Sequence, residues 1–244
     1  MIHTLVEFLR EPITPFTDYN HICDHLCGYE RERERESKVP PPQVYCLKCD
    51  IRKYFDSVDH EILLCLLRKR ISDPCVMWLC EIIVRSVSHG IPIGNLTSQL
   101  FANIYLNELD QYIKRTLHEK QYIRYMDDFV ILNADKRQLH IDKKCIIEFL
   151  RDRLKLELHS KKSDIFPVER GIDFLGYRVF TSYITLRKST VKRVKKKLKK
   201  YIQDYRQGNI LRTDIENAFH AWYGYAKHAR SWRVQKSIKE LIER

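Results

Sequence analysis

Three carboxylates carry the chemistry this sequence suggests. Asp127 and Asp128 are neighbours within Tyr122-Ile123-Arg124-Tyr125-Met126-Asp127-Asp128-Phe129-Val130-Ile131-Leu132. Adjacent acids repel each other and find no partner in the local sequence. A divalent cation resolves that repulsion, because hard cations such as Mg²⁺ favour oxygen ligands. A solvated turn is the plainer alternative, since Asp is a common turn residue, but the apolar flanks argue against a casual surface loop. The third acid, Asp50, closes the mostly apolar run Val44-Tyr45-Cys46-Leu47-Lys48-Cys49-Asp50-Ile51. If a strand-end Asp and a hairpin Asp come together, they can share two metal ions. Such a pair activates a 3′-hydroxyl, steadies a leaving pyrophosphate and neutralises charge in the transition state.

The elements that must position these acids follow from pattern. The Val44–Ile51 run predicts a buried strand with Asp50 near its C-terminal end. The aromatic and β-branched runs around Asp127 and Asp128 predict two strands with the acid pair at their turn. Ile62, Leu63, Leu66 and Leu67 predict a helix over 59–72, and Asp73-Pro74 starts another through about Arg85. Gly90, Pro92 and Gly94 predict a loop, with Gly94 free to approach a nucleic-acid strand closely. Near-helical spacing resumes from Thr97. Further predictions are a helix over 141–158, a strand from Ile165 to Val168, and a basic helix from Arg187 that Gly208 ends. Two more helices follow, one with Ala218, Phe219, Trp222, Tyr223 and Tyr225, the other from Trp232 to Leu241.

Tyr125-Met126-Asp127-Asp128, preceded by Asp50 with Phe55 five residues on, resembles the palm of a reverse transcriptase. The segment Gly90-Ile91-Pro92-Ile93-Gly94-Asn95-Leu96-Thr97-Ser98-Gln99-Leu100-Phe101-Ala102-Asn103 is similar to the template- and nucleotide-handling motif of that family. Many bacterial members carry Gln-Gly and Ser-Pro where this chain has Ile93-Gly94 and Ser98-Gln99, a variant that resembles the reverse transcriptases of diversity-generating retroelements. The resemblance covers roughly residues 44–240.

It implies an α+β fold: a right-hand polymerase palm of antiparallel strands backed by helices, reduced fingers and a helical thumb. The domains expected are a residual fingers segment over 1–43, a palm over 44–184 and a basic thumb over 185–244. The implied reaction is RNA-templated addition of deoxynucleotides to a primer 3′-end. Asp50 and Asp127 would bind two Mg²⁺ with the Ile51 carbonyl, and Asp128 would be the weaker ligand. Lys162, with Lys161 as its rival, would protonate the leaving pyrophosphate. Phe55 would pack under the sugar and exclude a 2′-hydroxyl. Gly94, Ser98 and Gln99 would lie along template and nascent pair. Leu175, Gly176 and Tyr177 belong to the hairpin that would grip the primer, and Lys192, Lys195, Lys196 and Lys199 would contact duplex phosphates. The implied partners are an RNA template, a DNA or RNA primer, a dNTP and a basic accessory protein, with error-prone copying at template adenines.

Two rival readings stand beside this one. The first is a group II intron-like, retron or CRISPR-associated reverse transcriptase. The second is a truncated, catalytically inactive nucleic-acid-binding remnant, because only 49 residues precede Asp50 and Arg10 is a poor candidate for the missing triphosphate-binding cations.

Composition narrows the setting. The 244 residues carry a formal net charge of +12, which suits a polyanionic partner. No run is long and apolar enough to span a membrane and no signal peptide is visible, so a cytoplasmic location is expected. Eight cysteines are spread through helical and strand-like segments, without a loop-rich framework for disulfides. Cys46-x-x-Cys49 has metal-knuckle spacing, but strand alternation would send the two side chains to opposite faces. His21, Cys23, His25 and Cys27 could supply zinc ligands, yet only pairs of them share a helix face. Ordinary core positions are preferred for both groups.

Overall fold

The structure, a computed structural model, describes Leu5 and residues 43–243. The expectations for residues 1–42, including Arg10, the His21–Cys27 group and most of the fingers segment, lie outside the described residues. The chain divides into two compact units, Pro12–Pro167 and Val168–Arg244 with Met1–Glu11. The two units divide between Pro167 and Val168.

The first unit is built on a four-stranded antiparallel sheet in the order β2-β3-β1-β4. The strands are β1 (Tyr45–Asp50), β2 (Tyr122–Tyr125), β3 (Asp128–Asn133) and β4 (Asp164–Pro167). The two central strands are the apolar ones. Leu47, Cys49, Phe129 and Ile131 join one hydrophobic core. Both cysteines of the Cys46-x-x-Cys49 pair are fully buried. Burial pushes the Cys46 thiol far up and the Cys49 thiol up to about 12, so both stay protonated core groups.

Helices pack against this sheet. A short α1 (Tyr54–Ser57) follows β1, and α2 (His60–Arg68) buries Leu63, Leu64, Leu66 and Leu67. The Asp59 side chain caps α2 by accepting the Ile62 N–H at 3.0 Å. Asp73 caps α3 (Pro74–Arg85) through Cys75 and Val76. Next comes α4 (Leu96–Gln111), extended by one π-helical stretch, Tyr112–Thr116. The helix expected over 141–158 is α5 (Lys136–Leu154). It starts earlier because Asp135 caps it through the Arg137 N–H, and it ends earlier because Lys155 turns left-handed at φ 52°. Tyr105 of α4 donates its buried hydroxyl to the Leu154 carbonyl at 2.7 Å, locking α4 to the end of α5.

The second unit holds a three-stranded antiparallel sheet, β5 (Ile172–Phe174), β6 (Tyr177–Val179) and β7 (Ile184–Leu186), followed by three helices. These are α6 (Lys188–Arg206), α7 (Arg212–Ala226) and α8 (Trp232–Glu243). The third strand had no counterpart in the sequence reading; three residues are too few to show alternation. The sheet goes with the helices because its turn is bonded to them. Tyr177 donates its hydroxyl to the Tyr225 carbonyl at 2.7 Å, and the Thr190 hydroxyl donates to the Gly176 carbonyl at 3.2 Å.

Candidate active site

The acidic cluster begins with backbone pairing. Strand β1 lies antiparallel to β3 with Asp50 directly opposite Asp128. One residue beyond each strand end, the Ile51 N–H donates to the Asp127 carbonyl at 3.2 Å. Asp50, Asp127 and Asp128 therefore meet at one end of the two central strands, although far apart in sequence. Asp127 occupies the β2–β3 turn and Asp128 opens β3, so the pair straddles the boundary between turn and strand.

Burial raises the carboxyl of Asp127 above the ordinary range, and the charges of Asp50 and Asp128 raise it further. Asp128 is raised for the same first reason; Asp50 adds to the effect and Lys48 opposes it. The Lys48 ammonium pairs with Asp128 Oδ1 at 3.6 Å, too far for a hydrogen bond, and that buried oxygen has no hydrogen-bond partner among the described residues. Lys162 Nζ lies 3.0 and 3.2 Å from the two oxygens of Asp50. Its loop is fixed by the His159 N–H on the Asp50 carbonyl at 2.8 Å. Lys161 lines a cavity of about 590 Å³ with Arg52, Glu157, Leu158, His159 and Ser160. The lysine preferred from sequence, Lys162, is thus the one bonded to Asp50.

Among the described residues, no three His, Cys, Asp or Glu side chains are gathered as a ready-made metal shell. The donor chemistry nonetheless suits Mg²⁺: three carboxylates, two of them raised first by burial and then by neighbouring charge, with one buried oxygen that accepts no hydrogen bond among the described residues.

Around the cluster, Phe55 is half-buried on α1, packed in part against the core and edge-on to Tyr54 at 5.5 Å. Its carbonyl accepts the Ile91 N–H at 2.9 Å. Within the protein, the close backbone approach of this loop is made at Gly90. A Cβ on Gly90 would lie 2.1 Å from the Phe55 carbonyl oxygen, whereas one on Gly94 would meet nothing within 4 Å. Gly94 answers to conformation, with φ at 101°. Ser98 is buried and donates its hydroxyl to the Pro92 carbonyl, which closes the 90–98 loop, while Gln99 faces solvent.

In the second unit, Leu175 and Gly176 form the β5–β6 turn with positive φ at both residues. The Tyr225 hydroxyl donates to the Leu175 carbonyl at 3.1 Å, and its ring lies 4.3 Å from that of Tyr177. On α6, Lys192, Lys196 and Lys199 are exposed at helical spacing and form one stripe. Lys195 differs: it is half-buried and donates to the Ser237 hydroxyl at 2.9 Å.

Arg124 escaped the sequence reading. Nine-tenths buried, it grips Asp110 with two nitrogens at 2.6 and 2.7 Å. A charged residue inside an apolar strand was the available signal, because buried charges are paired.

A reverse transcriptase (RNA-dependent DNA polymerase) family profile matches residues 4–179. The chain is 31% identical over 177 residues to protein YkfC of Escherichia coli K12, covering 55% of this chain and 46% of YkfC. It is 25% identical over 259 residues to the group II intron-encoded protein LtrA of Lactococcus lactis, covering 73% of this chain and 41% of LtrA. It is also 28% identical over 202 residues to the retron Ec73 reverse transcriptase of Escherichia coli, covering 75% of this chain and 61% of that protein. The chain thus spans less than half the length of YkfC and LtrA. Among solved structures, apo telomerase from Candida tropicalis shares the fold with a TM-score of 0.53 at 14% identity, over 63% of this chain and 33% of that one.

Proposed function

The chain belongs to the reverse transcriptase (RNA-dependent DNA polymerase) family, and from that premise we propose that it adds deoxynucleotides to a primer 3′-end under the direction of an RNA template. The observation that carries this reading is the β1–β3 pairing that sets Asp50 opposite Asp128, with Asp127 joined through Ile51. Two Mg²⁺ ions bound there would supply Lewis-acid activation of the primer hydroxyl and neutralise charge on the leaving pyrophosphate. Asp50, Asp127 and the Ile51 carbonyl would be the principal ligands and Asp128 the weaker one. Lys162, held at Asp50, gives its proton to the departing pyrophosphate. Phe55 packs beneath the sugar. Gly94 and Gln99 lie along template and nascent pair, and Ser98 acts by closing the loop that carries Gly94. Leu175, Gly176 and Tyr177 hold the primer strand. Lys192, Lys196 and Lys199 meet the duplex phosphates.

Primer extension on an RNA template with Mg²⁺ tests this reading. Wild type incorporates dNTPs, and Asp127→Ala loses at least about a thousandfold in rate while still binding template–primer. Binding without extension by both proteins would instead identify a non-catalytic remnant.

The finer assignment is to diversity-generating retroelements, supported by Ile93-Gly94 and Ser98-Gln99. It carries error-prone copying at template adenines and a basic accessory protein as partner. A second reading, an intron-type enzyme, is favoured by the similarity to LtrA. Sequencing the products decides between them: substitutions concentrated at template adenines support the first, and faithful copying of adenines supports the second.

A further inference from the structure

Asp127 follows Met126 directly, and Met126 has a φ of 55°. That is the left-handed region, which side-chain-bearing residues seldom adopt without support. The support comes from Arg124, two residues back on β2. Its Nη1 donates to the Met126 carbonyl at 3.1 Å and reaches Asn103 Oδ1 at 3.3 Å. Its Nε and Nη2 donate to the two oxygens of Asp110 at 2.7 and 2.6 Å. Asp110 is steadied in turn by the Tyr122 hydroxyl, which donates at 2.6 Å. Asn103 and Asp110 both belong to α4. One guanidinium therefore ties the helix to the peptide that precedes the hairpin acid. The tie matters because, among the described residues, β2 is an edge strand paired with β3 alone. On the far side of the turn, the Asp127 carbonyl accepts the Ile51 N–H.

We propose that Arg124 is a positioning residue: braced on α4 through Asp110, it sets the Met126 peptide and thereby the direction in which Asp127 presents its carboxylate. This rests on the polymerase reading above. A bare structural ion pair would also stabilise the hairpin, but it would not govern how the acids hold a cation. Lysine separates the two roles. An ammonium keeps the charge opposite Asp110, yet it lacks the planar fork needed to serve both carboxylate oxygens, Asn103 and Met126 together.

The test uses the full chain as wild type, Arg124→Lys and Asp110→Asn, with Asp127→Ala as the reference for a broken site. Mn²⁺ alone is the probe, its binding read from the electron paramagnetic resonance signal of the free ion. Primer extension runs alongside. Arg124→Lys is expected to melt cooperatively and to bind template–primer within twofold of wild type. Its Mn²⁺ affinity falls at least fivefold, and kcat falls at least tenfold with little change in the KM for dNTP. Asp110→Asn, which keeps the Tyr122 contact, lies between and reports on the brace should Arg124→Lys fail to fold. The proposal is overturned by a folded Arg124→Lys whose Mn²⁺ affinity and kcat stay within twofold of wild type, or by a wild type that binds no more Mn²⁺ than Asp127→Ala. A wild type that binds Mn²⁺ but extends no primer sinks the polymerase reading, while the Mn²⁺ comparison still judges Arg124.

Discussion

Glu119 and Asp142 illustrate at the residue scale how burial sets charge away from the acidic cluster. Glu119 is 7% exposed and Asp142 is fully buried. The Asn133 amide donates to Glu119 at 2.9 Å and the Gln138 amide donates to Asp142 at 2.9 Å. Asp142 Oδ2 has no hydrogen-bond partner among the described residues, and Asp142 acts on the Glu119 carboxyl. Burial first, and then the bond to Asp142, push the Glu119 carboxyl up from 4.5 to about 7. A carboxyl raised on folding makes the folded state the better proton binder. Its stabilisation is complete below about pH 4.5 and is lost as pH rises through about 7. The loss amounts to about 3 kcal/mol at 1.36 kcal/mol per unit. Glu119→Gln keeps a hydrogen-bonding group without the charge. Urea midpoints measured at pH 5 and pH 8 should fall with pH in wild type and change much less in the variant.

At the scale of elements, the 90–98 loop and α1 depend on a contact between backbones. Ile91 donates to Phe55, and Gly90 lies against the Phe55–Asp56 peptide, with His60 Nε2 at 2.6 Å from the Gly90 carbonyl. Gly90→Ala combines left-handed strain at φ 69° with a collision against main-chain atoms that cannot swing aside. A loss of about 2–4 kcal/mol is expected. Gly94→Ala suffers the strain alone, for about 1 kcal/mol. Thermal melts of the two variants should therefore differ clearly, with Gly90→Ala the lower. Sequence marked the loop but not which glycine bore the contact, because the partner peptide lies more than thirty residues upstream.

At the scale of the whole molecule, the net charge of +12 concentrates meaning on a few lysines. Those on the exposed stripe of α6 are available to phosphates, whereas Lys195 is bonded to Ser237. Replacing Lys192, Lys196 and Lys199 together by Gln should weaken template–primer binding. It should also lower the slope of log affinity against log salt by about 2–3, at roughly 0.7–0.9 per lost phosphate contact. Lys195→Gln should leave that slope nearly unchanged and lower the melting temperature instead. Fluorescence anisotropy over a salt series measures both.

The sequence by itself determined the strands that carry the acids, the helices that cover them, and the family. Alternation, helical periodicity, Asp caps and the Tyr125–Asp128 motif are local properties, written in consecutive residues. Even so, α5 was placed five residues late, because the apolar stripe begins after the cap that starts the helix. What only the tertiary structure decided were the pairings between distant segments: Asp50 opposite Asp128, Lys162 on Asp50, Gly90 against the Phe55 carbonyl, and Arg124 on Asp110. Register, burial and the reach of a long side chain belong to neighbours in space, and a linear pattern does not hold them.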